Sequence, residues 1–164
     1  MKIFDTSSII CLLKEIEEPC VLDICETLGH DIYITAEVHN ELQKNPQTYK
    51  KFQEYGKIGV IPYDNTKYIN HYKKRYIWMH DGEASVISIG HYLKEQGVSF
   101  YCIIDEKARR ISRENGLSTT GTIGLLLWEY EKNKLSKEDL KRIKNKLQRS
   151  PFRIGKELLD LLDK

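Results

Sequence analysis

Residues 99–105 read Ser-Phe-Tyr-Cys-Ile-Ile-Asp. The run is almost wholly apolar and ends abruptly on an acid. A strand buried on both faces has this signature, and such strands belong to parallel sheets covered by helices. Lys2-Ile3-Phe4-Asp5 repeats the pattern on a smaller scale, and Thr6-Ser7-Ser8 behind it offers helix caps before Ile9–Leu13. Asp31–Thr35 alternates and is rich in β-formers, and Lys57–Pro62 holds another short strand. A last short strand is expected at Leu117–Thr119.

Helical spacing fills the intervals. Val21, Leu22, Cys25 and Leu28 recur on one face, and Gly29 stops that helix. Thr35 caps a short helix carrying Glu37, Val38, Glu41 and Leu42. Asn65–Trp78, rich in Tyr, His, Lys and Arg, reads as an exposed or partner-contacting helix. Asp81-Gly82-Glu83 opens a helix with acids in its first turn, as the macrodipole favours, and Val86, Ile89, Gly90 and Leu93 give it one apolar face. Further helices are expected over Glu106–Glu114, along Ile123, Leu126, Leu127 and Tyr130, from Ser136 through Leu140, Ile143 and Leu147, and over Gly155–Leu162. Strands alternating with helices predict an α/β class with a mainly parallel sheet, an α/β/α sandwich. The expected organisation is one domain over 1–164, with 121–164 a helical extension packed on it.

The chain has 164 residues, 40% hydrophobic and 30% charged, with a mean hydropathy of −0.51. These values exclude disorder and a membrane span. Without a signal-like apolar stretch at Met1–Asp5, the expected address is cytoplasmic. Cys11, Cys20, Cys25 and Cys102 form no C-x-x-C pair and read as buried or partly buried thiols. Net charge is only +2, but its distribution is uneven. Between Asp5 and Glu41 nine acids face Lys14 alone, whereas between Lys132 and Arg149 eight cations face Glu138 and Asp139. The segregation suggests a cation site and an anion-binding surface, or simply solvated helix faces.

Asp5 and Asp105 both follow strands, where open α/β sheets bind ligands. Glu41 and Glu83 lie on helices able to flank the same crevice. Taken singly, such an acid also reads as a cap or loop residue. Converging carboxylates repel one another and call for a cation, and carboxylate oxygens suit Mg²⁺ or Mn²⁺. The histidines lack H-E-x-x-H spacing and read as surface residues.

Four blocks in order carry a family resemblance over essentially the whole chain. KIFDTSSII resembles the opening strand of PIN-domain proteins, with Asp5 as first acid and Thr6 and Ser7 as polar companions. ITAEVHNEL resembles the second block, with Glu41 as its acid. DGEASVISIG is similar to the third, with Glu83 its acid and Asp81 a competitor two residues away. CIIDEKARRIS resembles the fourth, with Asp105 followed by Glu106, which could share a metal-bound water. GLSTTGTIGLLL and Phe152-Arg153-Ile154 are similar to a subfamily of prokaryotic PIN proteins. The resemblance implies a metal-dependent ribonuclease in which Asp5, Glu41, Glu83 and Asp105 hold Mg²⁺ or Mn²⁺. It also implies a possible toxin role with a separate antitoxin protein, and possible homodimerisation. RNA contact is expected at Lys107, Arg109, Arg110 and Arg113. The stripe Tyr68, Tyr72 and Tyr76 offers either a packing face or a stacking strip for RNA. The alternatives are a catalytically weak binding module on the same fold and a structure-specific DNA nuclease.

Overall fold

The computed structural model describes residues 1–62, 66–104 and 106–164, without the side chains of Thr66, Lys67 and Glu106. Five strands, β1 (Lys2–Phe4), β2 (Ile32–Thr35), β3 (Gly59–Ile61), β4 (Tyr101–Ile103) and β5 (Thr119–Thr120), form one sheet in the order β3-β2-β1-β4-β5, with every pairing parallel. The fold is thus the expected α/β arrangement. From β1 the chain winds outward through β2 and β3, then returns to place β4 on the other side of β1. The winding direction reverses between β1 and β4, and a crevice opens at their carboxyl ends.

β1 lies at the centre and is buried throughout. Ile3, Phe4, Ile34, Cys102 and Ile103 have no exposed surface. Burial on both faces explains why these strands read as apolar runs rather than as alternating patterns. Around the sheet run α1 (Thr6–Ile10), a π-helical turn (Cys11–Glu15), α2 (Cys20–Thr27), α3 (Ala36–Gln43), α4 (Pro46–Tyr55), α5 (Thr66–Arg75), α6 (Asp81–Glu95), α7 (Glu106–Glu114), α8 (Thr122–Glu131), α9 (Lys137–Arg149) and α10 (Lys156–Asp160). α6 approaches β4 closely because Gly90 has no side chain: a Cβ there would stand 2.9 Å from Leu117 Cδ1 and 3.1 Å from Cys102 Sγ. None of the described helices is long and apolar enough to cross a membrane.

Several boundaries differ from the sequence reading. α4 was not anticipated, yet Asn45 caps it by accepting from Thr48 N–H (3.0 Å), Pro46 opens it, and Gly56 ends it at φ 68°. α5 stops at Arg75 rather than Trp78, because a turn closed by Met79 N–H to Tyr76 O (2.9 Å) carries the chain into α6. β5 lies at Thr119–Thr120 instead of Leu117–Thr119. Cys11, Cys25 and Cys102 are buried and Cys20 is partly buried, all as free thiols.

At the amino end of β1, Lys2 is fully buried with Nζ 4.6 Å from the Trp128 ring centroid. Glu129 lies nearby. Burial raises its pKa to about 7, against the opposing effects of the Cys25 thiol, which donates to Oε1 (3.0 Å), and of the Lys2 charge.

Part of the charge segregation in the chain cancels in space. Glu18, 5% exposed, accepts from Arg142 Nε (3.0 Å) and Nη2 (3.2 Å) and from Lys146 Nζ (2.7 Å). Lys144 pairs with Asp160 and Asp163, and Lys51 with Glu17. Arg142, Lys144 and Lys146 of the basic segment therefore neutralise this chain's own acids. Meanwhile Leu140, Ile143 and Leu147 are buried.

Burial opposes the Glu18 charge, but the Arg142 and Lys146 hydrogen bonds prevail and hold its pKa at about 2. Glu18→Ala takes the buried carboxylate from Lys146 and leaves Arg142 only Asp139. It is expected to destabilise the protein by about 1–3 kcal/mol at pH 7, several degrees in Tm. A carboxylate depressed on folding stabilises above its unfolded pKa and loses that contribution as pH falls toward the folded value. The gap between wild type and variant in thermal melts should therefore be full at pH 6 and shrink steadily below pH 4.5. A constant gap from pH 7 to pH 3 would show that the ion pair contributes nothing.

Candidate functional site

Three of the four candidate acids belong to the described residues, and all three face one cleft. Asp5 follows β1 directly, with its backbone N–H donating to Ile103 O across to β4 (3.0 Å). It caps α1 in extended backbone: Oδ1 accepts from Ser8 N–H (2.8 Å) and Oδ2 from the Ser7 hydroxyl (2.9 Å). It is 1% exposed. The capping reading and the site reading therefore coexist in one side chain. The cap fixes the carboxylate.

Glu41 comes from α3. Thr35, at the end of β2, caps that helix by accepting from Val38 N–H (3.2 Å), and its hydroxyl meets Ser85 of α6 at 2.6 Å. This contact ties α3 to α6 at the sheet edge. Glu41 then receives the Thr6 hydroxyl on Oε2 and the Gly82 backbone N–H on Oε1 (2.9 Å). A carboxylate at the first turn of a 15-residue helix is favourably placed in the helix dipole. A Cβ on Gly82 would overlap the Glu41 carboxylate and stand 2.8 Å from Thr6 Oγ1. Only glycine leaves room for this arrangement.

Glu83 follows on α6, where its Oε2 accepts from His80 N–H (3.1 Å). Asp81, the competing acid, is half exposed and pairs with Lys73 at 2.5 Å. The cleft, about 320 Å³, is lined by Asp5, Thr6, Ser7, Ile10, Glu41, Lys44, His80 and Glu83. Asp81 is not among these residues. A cavity of about 340 Å³ at the opposite end of the strands is lined by Lys94 and residues 97–101 and contains no acid.

The remaining expected residues fall elsewhere. Asp105 lies outside the described residues, as does the Glu106 side chain. Lys107 and Arg113 are exposed, and Arg110 is held by Glu114 (2.8 Å). Arg109 is half buried and lines a small cavity of about 90 Å³ with Phe152, Arg153 and Ile154. Glu37, one turn before Glu41, keeps Oε2 away from water with no hydrogen-bond partner among the described residues.

His80, Lys44 and Gly82 were not anticipated as parts of the cleft. The signal for Gly82 was its place beside two acids at a helix start, where alanine would form the helix better. His80 is exposed, as expected, but its exposed side lies on the cleft wall.

A family model described as a PIN domain matches residues 1–162. The chain belongs to the PIN-domain family. No curated protein and no solved structure matches it. PIN domains are generally nucleases and typically use divalent metal ions. The donor set of this PIN domain fits such an ion chemically, because it offers hard carboxylate oxygens in a cleft kept open at Gly82. Among the described residues, however, no three Asp, Glu, His or Cys side chains are gathered closely enough to hold an ion as they stand.

Proposed function

We propose that this PIN domain is a metal-dependent ribonuclease that hydrolyses phosphodiester bonds. The observation that carries the reading is the meeting of Asp5, Glu41 and Glu83 on one cleft where the sheet reverses its winding. Asp5, Glu41, Glu83 and Asp105 would hold Mg²⁺ or Mn²⁺. When bound, such an ion neutralises phosphate charge and lowers the pKa of water.

The protein supplies orientation. Ser7 and Ser8 hold the Asp5 carboxylate, and Thr6 and Gly82 hold that of Glu41, so neither has to reorganise during the reaction. Asp81 is engaged with Lys73 of α5 and does not line the cleft, which supports Glu83 as the third acid. Lys44 offers the cleft a cation for a phosphate oxygen. The preference for RNA rests on the likeness of the four acid-bearing blocks to RNA-cutting PIN proteins.

The test is a panel of 5′-labelled single-stranded RNA, duplex RNA and flap DNA with Mn²⁺. Single-stranded RNA is expected to be cut, with cutting abolished by EDTA and at least about tenfold slower cutting of either alternative. Equal cutting of DNA and RNA would defeat the ribonuclease reading and favour a general nuclease.

A further inference from the structure

The tyrosine stripe divides, with Tyr72 packed inward and Tyr68 exposed. Tyr72 is 6% exposed, and its hydroxyl meets His91 Nε2 at 2.6 Å. Just beyond it, the turn between α5 and α6 adds further apolar surface open to solvent. Ile77 there is 94% exposed and Trp78 36%. Two large apolar residues in succession, held out of the core, are costly unless something covers them. They are held firmly. Met79 is buried, and its N–H closes the turn on Tyr76 O. Tyr76 packs against Trp78 at 6.0 Å between centroids, tilted by 51°.

The surroundings of this turn are cationic. Arg75 lies 5.5 Å from the Tyr76 ring centroid, and Lys107 Nζ lies 5.8 Å from that of Trp78. Two residues after Trp78 the chain reaches His80, which lines the acidic cleft. Two peptide units span at most about 7.6 Å between Cα atoms. Trp78 therefore lies within two residues of the cleft wall without itself lining the cleft.

We propose that the Tyr76-Ile77-Trp78 turn is a stacking platform for a base of single-stranded RNA next to the phosphate lodged in the cleft. The inference deepens the nuclease reading and rests on it for the nature of the ligand. Every base has a π-face, so an indole accepts it without regard to sequence, while nearby cations take the backbone. Lys107, with Nζ 5.8 Å from the indole centroid, supplies an ammonium beside the platform. A protein partner or a second copy would also cover apolar surface, but neither accounts for the two cations at this aromatic turn beside a phosphodiester site.

The test is equilibrium binding of a fluorescein-labelled uridine octanucleotide in EDTA, where no cleavage interferes. Trp78→Ala is expected to weaken binding roughly 5- to 100-fold, whereas Trp78→Phe keeps most of it. An octanucleotide of abasic units should bind wild type no better than it binds Trp78→Ala. Circular dichroism checks that each variant is folded. Unchanged affinity in Trp78→Ala, no binding by any form, or a wild-type dimer that Trp78→Ala dissociates in sedimentation would each overturn the platform. The two readings separate cleanly. Mn²⁺-dependent cleavage with Trp78-independent binding sinks the platform alone. Trp78-dependent binding without any cleavage sinks the nuclease alone.

Discussion

Gly82→Ala is expected to reduce metal-dependent cleavage at least roughly 100-fold while the protein melts no lower than wild type. The two effects separate because of what the new methyl group meets. It would overlap the Glu41 carboxylate and press on the Thr6 hydroxyl. Both are ends of mobile side chains, so they can swing away without moving the backbone. The fold then loses little, and alanine favours the helix over glycine by up to about 1 kcal/mol. The site loses more, because Glu41 exchanges its two fixed donors for a displaced position, and a misplacement near 1 Å costs about two orders of magnitude in rate. Steady-state kinetics and a thermal melt of the same preparation check this. Full activity would mean that the position of Glu41 does not matter to the chemistry. Activity lost together with a collapse in Tm would mean that Gly82 serves the fold rather than the site.

The sequence made the architecture legible through its strands. Lys2–Phe4 and the run ending at Ile104 are short and apolar on both faces, and only a covered parallel sheet satisfies such segments. The acids at their ends followed from the same reading. What the chain could not show was the order of strands, which depends on contacts between Phe4 and Ile103 almost one hundred residues apart. The helix after Gln43 was missed because its apolar face is thin: Phe52 is its one buried hydrophobic residue, flanked in the chain by Lys51, Gln53 and Glu54.

Charge was the least legible property. The acidic front and basic back of the chain suggested separate ligand surfaces, yet Glu18 lies between Arg142 and Lys146 and uses both. Linear distance conceals pairing of this kind. The site shows the same limit on a smaller scale. Asp81 and Glu83 are both acids in the first turn of one helix. Residues two apart on a helix point about 200° away from each other. One therefore meets Lys73 and the other the cleft, a distinction that spacing alone could express only as a competition.

The central claim is that a carboxylate-held metal performs the cleavage, and Asp5→Asn tests it most directly. Asparagine keeps the shape of aspartate and is an equally good helix cap, so the Ser8 N–H retains an acceptor and α1 still starts. Only the negative charge and one acceptor oxygen are lost. Outer-shell changes around metals already cost 10–100-fold, so loss of a charged ligand should cost at least about 100-fold. The measurement is Mn²⁺-dependent cleavage of a mixed RNA pool by wild type and Asp5→Asn purified side by side, with circular dichroism melts of both. The account predicts cleavage by wild type and almost none by the variant at matching melting temperatures. Equal cleavage by the two proteins, or none by either, would contradict it.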